Sequence, residues 1–148
     1  MAPLIALVLG TALARLGGLA GIGALDGWHP ALRVGLALMF VLTGIAHFAD
    51  RRRPDLIAMV PPGLRRPDLL VTLTGVLELV GAIGLLVPAT ARLAAAGLGL
   101  LMLAMFPANV SAARRGLTLA GRPVSPLGQR TALQIVFVAT AGAISFGP

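Results

Sequence analysis

Five apolar stretches constrain what this chain can fold into. Each is close to the ~20 residues that a helix needs to cross a hydrocarbon core ~30 Å thick. A segment that spans a membrane must satisfy its own backbone hydrogen bonds, and the alternating pattern of a membrane β-barrel is absent from the sequence. We therefore predict an all-α membrane protein with five spans. They are Pro3–Leu25, Ala31–Phe48, Leu69–Val87, Leu93–Val110 and Thr131–Phe146.

The composition excludes several other classes of protein. Hydrophobic residues make up 57% of the 148 residues and charged residues only 11%, whereas a soluble domain carries about a quarter charged residues. The chain has no Cys, which excludes disulfides and Cys-ligated metals, and we predict no metal site. The net charge is +7, but Tyr is absent and there is one Trp. With no stacking platform or reading element, we expect no nucleic-acid partner.

The basic residues predict an orientation. All of them are Arg, and nine lie in two connections, Asp50–Asp68 and Ser111–Arg130, against Arg33 and Arg92 in the other two. Basic loops stay on the cytoplasmic side of a membrane. We therefore expect these two connections and the N-terminus to be cytoplasmic and the C-terminus to lie outside, in a bacterial-type inner membrane.

The sequence indicates a single membrane domain over residues 1–148, since it shows no internal repeat and no low-complexity linker. Small residues recur at four-residue spacing, which allows helices to approach closely. Packing within the chain is the preferred interpretation, and a homo-oligomer contact is the alternative. The residues concerned are Gly10, Ala14 and Gly18, Gly17 and Gly21, and Ala139 and Ala143.

Glu78 lies in the middle of the third predicted span. A carboxylate at the bilayer centre costs about 2.5–3.5 kcal/mol, so it should face the helix interior and be paired or protonated. Two roles stay open, a catalytic or ligand-anchoring carboxyl and a structural tie between helices. Arg15 lies at a similar depth in the first span, which predicts a structural ion pair between Arg15 and Glu78. The alternative is that Arg15 extends along its helix to water.

A second group of polar residues surrounds His47 at the end of the second predicted span. A lone His at a helix end is more often an interfacial cap than a catalyst. The predicted topology, however, brings further polar residues to its level or one turn deeper, toward Glu78. His47 is therefore a catalytic candidate together with Glu78. The candidate ligand-binding residues from the helices are Thr43, Thr74, Asn109 and Gln134.

The second connection contains an apolar segment, Pro54–Pro62, that is too short to span a membrane. A short interfacial or re-entrant segment fits it best. It is either a cover over the His47 end, with Met59 and Pro61 as further ligand-binding residues, or a passive linker on the headgroups. The Arg51–Arg53 run is interpreted as a topology signal.

These motifs together resemble the DoxX-like family of small membrane proteins, over about residues 35–140. The resemblance implies a four-helix transmembrane bundle over residues 31–146, to which this chain adds an N-terminal helix within residues 1–26. It also implies a link to redox or quinone metabolism and a membrane oxidoreductase partner. The motifs that carry it are Thr43-Gly44-Ile45-Ala46-His47-Phe48, Met59-Val60-Pro61-Pro62, Thr74-Gly75-Val76-Leu77-Glu78-Leu79, Phe106-Pro107-Ala108-Asn109 and Leu133-Gln134.

Two functional hypotheses follow. In the first, the chain binds a small apolar ligand, a quinone or related lipid, in an intramembrane polar pocket. If it is an enzyme, Glu78 or His47 acts as general base and the amides polarise an oxygen. In the second, the chain is a non-catalytic accessory subunit or assembly factor of a membrane complex, and the polar residues only lock the helices. The sequence leaves open whether the chain is an enzyme.

Overall fold

The structure is a computed structural model that describes residues 1–147. Within this range it contains six α-helices, a short 3-10 turn at Gly23–Leu25, and a two-stranded antiparallel hairpin of β1 (Thr118–Leu119) and β2 (Arg122–Pro123). The fold is therefore all-helical apart from one small hairpin. The α-helices are α1 (Ala2–Leu19), α2 (Trp28–Ala46), α3 (Arg53–Met59), α4 (Pro67–Leu86), α5 (Ala91–Arg114) and α6 (Leu127–Phe146).

Four helices, α1, α2, α4 and α5, are long and apolar enough to cross a membrane. This confirms the predicted all-helical fold and four of its apolar segments of spanning length. The fifth predicted stretch lies within α6, which is helical over 20 residues but is not among these four. Gln129, Arg130 and Gln134 in its first turns lower its hydropathy.

The helix ends follow local chemistry. Proline stands in the first turn of α1, α3 and α4. Backbone N–H groups in the first turn make no hydrogen bond within the helix, so proline, which lacks this group, is tolerated there. The sequence predicts a first span that extends to Leu25, but α1 ends at Leu19. Gly21 has a φ of 101°, and a left-handed residue of this kind terminates a right-handed helix.

Helix α2 is central, since it packs against α1, α4 and α6, and α5 packs against α4 and α6. One hydrophobic cluster joins these helices. Its largest fully buried side chains are Leu36 and Phe40 from α2, Leu85 from α4 and Ile144 from α6, and Leu7 brings α1 into the same cluster. The N-terminal helix therefore shares the core of the other helices.

Small residues bring α1 and α2 into close contact. A Cβ added at Gly35 of α2 would lie 2.5 Å from the carbonyl oxygen of Leu7 in α1. On α1, Gly10, Ala14 and Gly18 are buried, which agrees with packing within the chain.

The second predicted small-residue pair, in α6, behaves differently. Ala139 and Ala143 are exposed, so this pair does not form a close contact between helices within residues 1–147.

The two Arg-rich connections lie at the same end of the molecule, which we call the basic end. Arg115 donates to the carbonyl oxygen of Ala58 (2.8 Å), and the Ala120 N–H donates to Asp55 Oδ2 (2.6 Å). These contacts join residues of the second connection to residues of the fourth. Both connections therefore face the same side, as the Arg distribution requires.

Arg15 pairs with Asp26 rather than with Glu78, so the predicted Arg15–Glu78 ion pair is wrong. The Arg15 guanidinium lies 3.1 Å from Asp26 Oδ1 and 5.8 Å from the centre of the Trp28 ring. The reason is the packing order: α1 lies mainly against α2, whereas Glu78 belongs to α4. The turn after α1 instead brings Asp26 within reach of Arg15.

Gly35→Ala should destabilise the protein, since the new methyl group meets the backbone of α1. Overpacking of this kind costs about 1–3 kcal/mol. The control is Gly97→Ala in α5, where an added Cβ has no atom within 4 Å among residues 1–147 and where Ala favours the helix by about 0.5–1 kcal/mol. Thermal unfolding in detergent measures the stability of both variants. Equal melting temperatures would contradict the close α1–α2 contact.

Candidate functional site

A cavity of about 1230 Å³ opens at the basic end, between α2, α4 and α5 and beneath both Arg-rich connections. It is larger than the ~300–1,000 Å³ typical of small-ligand pockets. Most of its lining residues are apolar, and Met1, Ala2 and Pro3 complete one wall. The polar side chains that line it from the helices and the end of α2 are Thr43, His47, Thr74, Glu78, Asn109 and Arg130.

Glu78 is the buried carboxyl of this cavity, with only 4% of its surface exposed. Among residues 1–147 its Oε2 atom has no hydrogen-bond partner. The His47 Nδ1 atom is 3.9 Å from Oε2, which is beyond hydrogen-bond distance. A buried polar atom without a partner is costly, by about 1–3 kcal/mol or more when it is charged. The folded chain therefore holds an unsatisfied oxygen at the cavity wall.

His47 follows the last residue of α2 and is 5% exposed. Its Nδ1 atom is 2.9 Å from the carbonyl oxygen of Thr43. A carbonyl oxygen only accepts, so Nδ1 carries the proton. Burial is the main cause that lowers the pKa of His47; the Thr43 hydrogen bond opposes this shift, and the charge of Arg53 reinforces it. The ring is therefore neutral at pH 7, and its Nε2 atom is an acceptor.

The two threonines of the cavity donate to their own helices. The Thr43 hydroxyl donates to the carbonyl oxygen of Met39 (3.2 Å), and the Thr74 hydroxyl donates to that of Leu70 (2.9 Å). Such bonds four residues back along a helix are common for threonine. The hydroxyl protons are thus engaged, and only the oxygen lone pairs stay available.

Two glycines place His47 beside α4. A Cβ added at Gly75 would lie 2.6 Å from the His47 Cβ, and one added at Gly44 would lie 2.8 Å from the Leu79 side chain. Side chains at these positions would push α2 and α4 apart. The short distance between His47 and Glu78 therefore depends on glycine at both contacts.

The predicted residues of α5 and α6 separate into two groups. Asn109 lines the cavity, and its Oδ1 accepts a short hydrogen bond from Arg130 of α6. Gln134 instead donates to the carbonyl oxygen of Met102 (2.7 Å) and lies outside the cavity lining. The structure therefore brings five of the six predicted polar residues together and places Gln134 between α5 and α6.

The predicted short apolar segment of the second connection forms α3. Met59 at its end is 7% exposed and lines the cavity together with Pro61. Helix α3 contacts α4, α5 and β1, so it lies on the protein rather than apart from it. This position agrees with the cover interpretation, although the covering role itself stays a prediction.

Arg53 is a structural residue that the sequence reasoning missed. Its guanidinium donates to the carbonyl oxygen of His47 (3.0 Å), to Thr72 Oγ1 (2.8 Å) and to the carbonyl oxygen of Asp68 (3.3 Å). It thus joins the start of α3 to the end of α2 and the first turns of α4. A signal was present, since the last carbonyls of a helix lack partners and attract a nearby cation.

The remaining charged groups of the site lie at its rim. Four exposed charged residues line the cavity from the basic end, and half-buried Arg130 lines it beside Asn109; the four are Asp50, Arg51, Arg52 and Arg122. Among the described residues, no three His, Cys, Asp or Glu side chains are close enough to hold a metal ion. The cavity is therefore apolar in its body, with one unsatisfied carboxyl inside and positive charge at its opening.

A family model described as a domain of unknown function (DUF8561) matches residues 36–145, which is more than half of the chain. No curated protein and no solved structure matches it significantly.

Arg53→Gln should loosen α3 and lower the free energy of unfolding by about 1–2 kcal/mol, because several hydrogen bonds from a charged donor are lost at a half-buried position. The matched control is Arg52→Gln, which removes the same charge from an exposed neighbour. Hydrogen exchange of residues 53–59 and thermal unfolding in detergent measure the effect. Identical exchange in the two variants would show that Arg53 does not fasten α3.

Proposed function

The chain belongs to the DUF8561 family, and we propose that it binds a small apolar ligand with a polar head group in the cavity at the basic end. A quinone or related lipid is the most concrete ligand. The observation that carries this proposal is the buried, unsatisfied Glu78 oxygen in the wall of a mostly apolar cavity. A polar group that the protein leaves without a partner is available to a ligand.

The chemistry of the lining supports this class of ligand. Small-molecule pockets combine apolar walls with a few polar groups that orient the ligand. Here the head group meets Glu78, His47, Thr43 and Thr74, and the chain of the ligand lies along the apolar wall. Should the chain catalyse a reaction, Glu78 or His47 is the general base. The resemblance to DoxX-like proteins extends the proposal to redox metabolism and a membrane oxidoreductase partner.

We also propose that α6 is the fifth span, so that α2, α4, α5 and α6 form a four-helix bundle with α1 at its side. Helix α6 runs from the basic end, where Arg130 meets Asn109, to the opposite end. There His29 Nε2 lies 3.0 Å from the carbonyl oxygen of Ile144, and Arg92 donates to that of Gly147 (2.9 Å). It therefore extends between the same two ends as the apolar helices.

The distribution of charge supports an orientation with the basic end in the cytoplasm. The N-terminus is then inside and the C-terminus outside, in a bacterial-type inner membrane. In this orientation the cavity opens toward the cytoplasmic headgroups, where an apolar ligand can enter from the membrane.

The topology is testable by cysteine labelling, because the chain contains no Cys. Gly23→Cys and a Cys appended after Pro148 should react with a membrane-impermeant maleimide in intact spheroplasts. Gly63→Cys should react only after permeabilisation. Labelling of the appended Cys together with Gly63→Cys would show that α6 does not cross the membrane. The reverse pattern for all three would invert the orientation.

Glu78→Leu and His47→Asn should leave the protein folded but remove any co-purifying ligand. Apolar replacement of a buried polar group is often neutral for stability, and Asn keeps a donor for the Thr43 carbonyl. A ligand at a hundred times its Kd stabilises by about 2.7 kcal/mol, and this thermal shift should disappear.

The control is Asp26→Asn, which removes a carboxylate at the opposite end and should retain the ligand. Lipid-extract mass spectrometry and thermal unfolding measure both properties. If the two site variants melt far lower while ligand retention is unchanged, the polar residues are scaffolding. The chain is then better described by the alternative, an accessory subunit or assembly factor.

A further inference from the structure

The donors nearest to Glu78 are all directed elsewhere. Thr74 and Glu78 lie four residues apart on α4, and Thr43 and His47 lie four residues apart at the end of α2, so each pair shares one helix face. The His47 Nδ1–H is used by the Thr43 carbonyl, and both threonine hydroxyls are used by carbonyls of their own helices. Thr43 is close enough to donate to Glu78, but only if its hydroxyl turns away from the carbonyl of its own helix.

The inner part of the cavity offers hydrogen-bond acceptors around Glu78. Glu78 Oε2 has no partner among residues 1–147. An ionised carboxylate only accepts hydrogen bonds, whereas a protonated carboxyl also donates one. The Thr43 and Thr74 oxygens and the His47 Nε2 atom are acceptors as well. Around an ionised Glu78 the inner part of the cavity is therefore rich in hydrogen-bond acceptors, and the protons of Thr43, His47 and Thr74 are engaged with helix carbonyls.

The other side-chain donors of the lining, the Asn109 amide N–H2 and Arg130, lie toward the basic end, as do the arginines of the rim. Arg51, Arg52 and Arg122 are exposed at the rim, whereas Glu78 is eleven residues into α4, about 16 Å along the helix axis from its start. A ligand with an anionic head would find its partners at the rim. It would also bring negative charge toward the Glu78 carboxyl if its head went deeper.

We infer that the ligand of this cavity carries a hydrogen-bond donor on an apolar body, such as a hydroxyl on an aromatic ring or a long alcohol, and that it donates to Glu78. This inference rests on the proposed function and narrows it to a class of head group. A molecule with carbonyl oxygens alone would place an acceptor against the ionised Glu78 carboxylate, which has no proton to donate. Of the two redox forms of a quinone, only the reduced, hydroxylated form meets the requirement.

A pair of probes that differ in one donor tests the inference. A 4-alkylphenol and its methyl ether have nearly the same shape, but only the phenol donates a hydrogen bond. Binding is measured by equilibrium dialysis against the protein in nanodiscs, and empty nanodiscs correct for partition into lipid. The phenol should bind at least about tenfold more tightly, because hydrogen bonds to a carboxylate are among the stronger ones.

Glu78→Leu should reduce the ratio of the two affinities to about one, and Asp26→Asn should leave the ratio unchanged. Ala108→Phe, which fills part of the cavity from α5, should weaken both probes and so locate them there.

The outcomes separate the two proposals. Equal binding of phenol and ether to the wild type, lost together in Ala108→Phe, would overturn the donor requirement and leave the ligand site standing. Absence of saturable binding by either probe would overturn the proposed function as well. A preference for the phenol that survives Glu78→Leu would show that another group accepts the hydrogen bond, and this also overturns the inference.

Discussion

The close approach of α2 and α4 is the contact on which the site depends. Gly44 and Gly75 remove the side chains that would separate these helices. The end of α2 then lies against the middle of α4, and His47 and Glu78 become neighbours although neither satisfies the other. In a membrane, where lipid tails are as apolar as the helix surfaces, such close packing is a main force that joins helices. The same contact therefore supports the fold and builds the cavity wall.

The positions of the helices and the polar residues could be predicted from the sequence, because they depend on local properties. The length and hydropathy of the apolar stretches set the helices. The cost of a carboxylate in an apolar span predicts that Glu78 is buried, as observed. The depth of His47 and Asn109 along their helices could be predicted by counting residues. Both residues line the cavity.

The partners of the long polar side chains could not be predicted in this way. The similar depth of Arg15 and Glu78 in their helices predicted that they form an ion pair. Depth alone, however, does not determine which helices are neighbours. Gln134 was predicted at the correct level, yet its side chain turns toward the backbone of α5. In helices that are apolar on nearly every face, the hydrophobic pattern gives little information about rotation. Contacts such as that of Gly35 with α1 fix the rotation instead, and these appear only in three dimensions.

The N-terminal helix lies outside the residues that match the family model. The family match begins at residue 36, so α1 lies outside the shared domain, but Met1, Ala2 and Pro3 line the cavity. One wall of the site is thus contributed by a part of the chain that the shared domain does not include. Substitutions in that wall can change the shape of the cavity while the domain core keeps its packing. The leading helix can thus reshape one side of the cavity with no change in residues 36–145.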